Sequence, residues 1–383
     1  MSRLLLSVLL FTAVTRADDL AQQTAEIEAR LSAITGLAFK HPVPYAVINR
    51  GQLRQYLNEK IRQTLKPEDV RIQEAVLKML GLVPNDFDLK TMMVDLLTEQ
   101  AAAFYDYHKK KLFLLDNNVG PDRKQALVHE LAHALADQNF RLDKYIQESG
   151  RSDDSEAARL AVMEGQASWL MTAYMANSGA DIPEFVLRDR QDLLTESASD
   201  YPVFAKAPLY IRVSLVFPYA EGLLFQDALY RRYGRESFSR VFRNPPVTTH
   251  QILHPEAYMN QPPPKLPLPP EPPPNRRHLR KQAEGALGEI DVRVLLVQNV
   301  GKEQGEAAAA HLDGGTYAYY EDKQRKNSIL TVATSWDSAD DAQRFCELYR
   351  AILAKKWLPD PSGFQLVCEG TRVSSIEGSL NLR

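Results

Sequence analysis

Nine of the fourteen residues from Gln261 to Pro274 (QPPPKLPLPPEPPP) are proline. No helix and no central strand can run through such a stretch, because each proline lacks a backbone N–H and fixes φ. Fully extended it spans about 40 Å. The 383-residue chain is therefore expected to fold as two units joined by a semi-rigid linker or a surface strap. The alternative use of such a run is as a ligand for a proline-recognition module. The expected organisation is a leader over 1–17, a large unit over 18–260, a linker over 261–284 and a small α+β unit over 285–383.

The larger unit reads as mostly helical. Pro67 opens and Gly81 stops one helix, Gly51 to Leu65 reads as an amphipathic helix, Asp88 to Gln100 as a further helix, and Val43 to Ile48 as a strand. Ala102 to Tyr107 and Lys111 to Leu115 flank His108-Lys109-Lys110 as a hairpin. Further helices are expected over Asp154 to Asn177 and Tyr219 to Tyr233. In the smaller unit, Glu303 to His311 and Ala339 to Lys355 read as helices, the second capped by Asp337 or Ser338. Thr316 to Tyr320 and Ser328 to Ala333 read as strands, and Arg276 to Lys281 as a solvated helix start. The fold class is α+β.

The segment after the hairpin carries the chemistry. His129-Glu130-Leu131-Ala132-His133 places two imidazoles on one helical face, where both can reach one metal ion. Glu130 sits where a metal-bound water needs a base. No Lys or Arg lies between Gln125 and Phe140, so this helix is expected to be buried nearly all round. Buried charged groups need partners. A metal ion is the simplest one; ordinary hydrogen bonds to the histidines are the alternative. Glu164 is the only formally charged residue between Arg159 and Asp181, and it is the best candidate for a third ligand. Gly165 beside it would admit another backbone or a substrate. Asp137, one turn after His133, is expected to orient an imidazole. His254, His250, Tyr258 and Tyr219 are candidates to stabilise an oxyanion, His254 first among them. The hairpin could offer an edge strand to an extended substrate.

With His129, Glu130, His133 and Glu164 in these positions the chain resembles the gluzincins, zinc peptidases with HExxH and a downstream glutamate, and in particular uncharacterised exported bacterial HExxH proteins. The resemblance implies a zincin-like catalytic unit over 18–260, one Zn²⁺ held by His129, His133 and Glu164, Glu130 as general base, and a peptide or protein substrate. Phe217 to Gly222 is similar to a helix that packs behind the site in some gluzincin aminopeptidases, although their exopeptidase motif is missing. Ala136 and Asn139 stand where metzincins need glycine and a third histidine. Glu164 lies 31 residues after His133 and is followed four positions on by Ser168, which departs from the thermolysin pattern. Two other functions remain open: zinc-dependent hydrolysis of a non-peptide bond, and a non-catalytic zinc-binding or interaction protein.

A net charge of −3 offers no electrostatic case for nucleic acid. Arg3, the apolar run Leu4 to Thr15 and the small residues Thr15 and Ala17 predict a secretory leader cleaved after Ala17, hence an exported, periplasmic or secreted protein. No segment is expected to span a membrane. Cys346 and Cys368 are the only cysteines, and in an exported protein they can pair.

Overall fold

The computed structural model of the chain describes residues 5–378 except 65, 101–102, 117–120, 150–151, 177–181, 183–200, 261–265, 277 and 359–360. Of the expected leader, residues 1–4 lie outside the described residues. The elements are α1 (Leu5–Thr35), β1 (Tyr45–Ile48), α2 (Arg50–Thr64), α3 (Pro67–Leu80), α4 (Leu89–Gln100), β2 (Ala103–Asp106), β3 (Lys111–Leu115), α5 (Pro121–Phe140), α6 (Leu142–Gln147), α7 (Asp153–Ala176) and α8 (Pro202–Lys206). There follow α9 (Leu209–Tyr233), α10 (Ser237–Arg243), α11 (Thr249–Leu253) and α12 (Pro255–Asn260). Beyond the proline run come β4 (Arg280–Ala286), α13 (Glu289–Val300), α14 (Lys302–Ala309), β5 (Leu312–Glu321), β6 (Ser328–Trp336), α15 (Ala339–Lys356), β7 (Phe364–Glu369) and β8 (Arg372–Gly378). The fold is α+β, helical with two small sheets. Among the described residues no helix is long and apolar enough to cross a membrane.

Local signals explain the ends of several elements. α3 has Pro67 in its first turn and ends at Gly81, whose φ of 75° is the left-handed conformation that closes a helix. Asp88 Oδ1 accepts from Thr91 N–H at 2.9 Å at the start of α4. Ser338, one of the two expected caps, accepts from Asp341 N–H at the start of α15.

Two expectations fail in instructive ways. α9 begins at Leu209, ten residues before the expected Tyr219, and carries Pro218 in its interior. A proline ordinarily breaks a helix, but α9 buries Ile211, Phe217, Leu223 and Phe225 along its length, and packing outweighs the lost backbone bond. The basic stretch read as a helix start instead leads into β4, which begins at Arg280 inside the span expected as linker and pairs antiparallel with β5.

In the first sheet β1 runs parallel to β3 and β2 antiparallel to it, in the order β1-β3-β2. α5 packs beside this sheet. Leu127, Val128, Leu131 and Leu135 of α5 are essentially fully buried, among Leu112 and Leu114 of β3, Trp169 and Leu170 of α7, and Ile27 and Leu31 of α1. Each such leucine contributes about 2 kcal/mol through burial.

The second sheet is antiparallel, ordered β4-β5-β6-β8-β7. Its core is shared with the helical unit: Val76, Leu77 and Leu80 of α3 lie in one apolar cluster with Leu295 of α13, Val332 of β6 and Phe345 of α15. Arg71 binds Glu321 through two bonds of 2.7 and 3.0 Å, and Tyr317 O–H donates to Asp153 at 2.7 Å. The described part of the proline run lies on this sheet as a strap, with Pro267 C=O accepting from Thr316 Oγ1 and Leu268 C=O from Arg372. Cys346 of α15 and Cys368 of β7 are disulfide-bonded.

Candidate metal centre

α5 carries His129, Glu130 and His133 on the face opposite its leucines, and α7 brings Glu164 to them. His129 Nε2 lies 3.1 Å from Glu164 Oε2, His133 Nε2 lies 3.2 Å from the same oxygen, and the two imidazole nitrogens are 3.1 Å apart. Three potential ligand atoms thus form a nearly equilateral triangle. Ligands of a tetrahedral zinc with bonds of ~2.0–2.1 Å stand about 3.3 Å apart, so this donor set fits the ion. Hydrogen bonding alone serves it less well. A proton on each Nε2 would set two N–H groups head to head, whereas one central cation satisfies all three lone pairs.

The electrostatics agree with that chemistry. Burial opposes a charge on His133, but the Glu164 carboxylate beside it, with Glu130, pushes its pKa up to about 9. Burial likewise opposes the charge on Glu164, yet the two histidines hold its carboxyl well below the usual range. The pocket stabilises one carboxylate with positive charge gathered round it.

Glu164 is fixed by how α7 meets α9. Gly165 faces Gly222: a Cβ on Gly165 would stand 2.1 Å from the carbonyl carbon of Gly222, and one on Gly222 would stand 2.1 Å from the carbonyl oxygen of Ala161. The close approach expected at Gly165 is made by the backbone of α9. Trp169 Nε1 donates to Asp227 Oδ1 at 3.1 Å and Gln166 Nε2 to Phe238 C=O at 3.2 Å, tying α7 to α9 and α10.

Glu130 is held from the hairpin. Its Oε2 accepts from Tyr105 N–H of β2 at 2.7 Å. β2 is the edge of its sheet, so this outward donor is committed to the protein and is not free for a strand of substrate.

Asp137 does not orient either histidine. It accepts from Tyr105 O–H at 2.9 Å, Lys110 Nζ at 2.8 Å and Leu142 N–H at 3.0 Å. Its work is to clamp the hairpin turn and the start of α6 to α5. Asp137 lies one turn after His133 on α5, but Lys110 from the hairpin reaches its carboxylate instead of an imidazole.

Of the four oxyanion candidates, Tyr219 stands at the cluster. The residue, 39 % exposed, stacks its ring on His129 at 5.8 Å between centroids, and it hydrogen-bonds Glu164, whose charge pushes the phenol well above its ordinary pKa. It therefore stays a neutral donor. The other three are engaged elsewhere: Tyr258 O–H donates to Asn244 C=O, while His250 and His254 both bond Glu289.

Residues 276–377 match a family described as a domain of unknown function (DUF8575). No curated protein matches the chain. No solved structure matches it.

Proposed function

We propose that the chain is an exported zinc-dependent peptidase, with His129, His133 and Glu164 as metal ligands and Glu130 as general base. The observation that carries this reading is the triangle of 3.1–3.2 Å formed by the three ligand atoms, with Glu130 beside it on the same helix. When bound, zinc lowers the pKa of its water to about 7 and polarises the carbonyl under attack.

The chain's own groups supply the proton transfers. Glu130 keeps one oxygen on Tyr105 N–H and has the other to accept a proton from the attacking water. It returns that proton to the leaving amine. The Tyr105 bond fixes the carboxylate's orientation toward the water it would deprotonate. Tyr219, whose neutral O–H lies against Glu164, would turn that single donor to the oxygen on which negative charge develops. The apolar run from Leu4 with Ala17 supports export.

Metal analysis with an unbiased peptide-cleavage profile tests this. Glu130→Gln should keep zinc and lose turnover, whereas His129→Ala should lose both. Absence of stoichiometric zinc from this site overturns the reading. So does a Glu130→Gln variant that cleaves a peptide library as the parent does.

A further inference from the structure

A second group of metal-ligand type stands apart from the first. His250 Nδ1 lies 2.7 Å from Glu289 Oε2, and His254 Nε2 lies 3.0 Å from that oxygen and 3.1 Å from Oε1. The three potential ligand atoms all lie within 4.8 Å of one another. The imidazoles face each other at 4.4 Å between centroids. Glu289 is 3 % exposed at its side chain, His250 21 % and His254 38 %, so the cluster has a buried base and an open side where water can complete a coordination shell.

Its chemistry parallels the first centre with one difference. His250-Gln251-Ile252-Leu253-His254 repeats the i, i+4 histidine spacing, and again a carboxylate from a distant helix completes the set. The position after the first histidine holds Gln251 instead of glutamate, and Gln251 Oε1 is occupied by Val247 N–H at 2.8 Å. An amide cannot serve as a general base. Two imidazoles and a carboxylate suit zinc and its neighbours in the divalent series, so this arrangement can hold an ion but lacks the group that would put a bound water to work.

The location indicates what the ion would do. His250 and His254 belong to α11 and the residue that ends it, in the helical unit. Glu289 opens α13, the first helix after the proline strap. The ligands therefore come from both sides of the junction between the two units. Glu221 of α9 and Arg293 also lie within electrostatic reach of the cluster, and the Arg293 guanidinium is held by Glu306 at 2.6 Å.

We propose that His250, His254 and Glu289 form a second, non-catalytic site for a zinc-class divalent cation, which fastens the C-terminal unit to the helical unit. The site is independent of the proposed peptidase centre and does not require it to be active.

The test uses the full chain. With His129→Ala and His133→Ala removing the first centre, the purified protein, stripped and titrated with ZnCl₂, should bind one equivalent of zinc. Zinc should raise its melting temperature. Adding Glu289→Gln, a near-isosteric change, should abolish both the stoichiometric binding and the shift. A His129→Ala/His133→Ala variant that takes up no zinc while retaining its circular dichroism overturns the proposal. So does an unchanged stoichiometry when Glu289→Gln is added. Should the double variant fail to fold, Glu289→Gln in the parent chain decides: a fall from two equivalents to one supports the second site, and no fall overturns it. A parent chain that binds one zinc sensitive to Glu289→Gln but not to His129→Ala would sink the peptidase reading and leave this one standing.

Discussion

The backbone N–H of Tyr105 donates to the carboxylate of Glu130 at 2.7 Å. A strand edge is thereby joined to the residue proposed to move the proton, and the hairpin orients its carboxylate. Glu130→Asp retracts the carboxylate by one methylene, so it cannot hold Tyr105 and reach the attacking water together. Turnover should fall about 10²-fold with zinc content unchanged. Metal analysis beside steady-state kinetics checks this; full activity in Glu130→Asp would remove the Tyr105 bond from the mechanism.

Tyr219→Phe keeps the ring on His129 and deletes only the hydroxyl. If that hydroxyl stabilises developing charge, kcat should drop by roughly 10²–10³ while KM changes little. A raised KM with unchanged kcat would instead mark Tyr219 as a substrate-binding residue.

The contact between Gly165 and Gly222 sets the spacing of α7 and α9. Gly222→Ala places a methyl group against the carbonyl of Ala161, and two backbones must part to admit it. Overpacking of this kind costs roughly 1–3 kcal/mol, and here the upper end is expected because no side chain can give way. Chemical denaturation measures the loss. Glu164 is the neighbour of Gly165, so zinc affinity should weaken as well; a variant with parental stability and affinity would show that the helices can separate freely.

Asp154 gives a pH dependence of defined sign. Burial pushes its carboxyl up to about 6 from 3.8, against two hydrogen bonds from Thr249. Below pH ~4 the group is protonated in both folded and unfolded chains and costs nothing. Between about 4 and 6 the unfolded chain releases its proton first, so stability falls as pH rises, by roughly 3 kcal/mol in all. Asp154→Asn keeps an oxygen for Thr249 and cannot ionise. It should melt higher than the parent at pH 8, with the gain vanishing at pH 4. An equal difference at both pH values would refute the assignment.

Much of this was legible in residue order, for physical reasons. Pro67 and Gly81 bound α3 because one tolerates a first helical turn and the other a left-handed exit. Glu164 stands out because an isolated carboxylate in an apolar helix needs a cation. What was hidden depended on distant partners. Pro218 resembles a boundary until the burial along α9 is known. Asp137 shares a helical face with the histidines, but Lys110 and Tyr105 claim it. His250 and His254 carried a readable signal, the same spacing as His129 and His133. Their carboxylate partner lies beyond a proline run, where no periodicity points to it.

The junction between the units has a consequence for inheritance. Residues 276–377 are what the family match covers, yet Val76, Leu77 and Leu80, some two hundred positions earlier, close the apolar cluster on which their sheet rests. Moved alone into another protein, that stretch would arrive with an uncovered oily side. Any chain that holds this stretch without α3 and its neighbours needs another apolar surface to close that cluster.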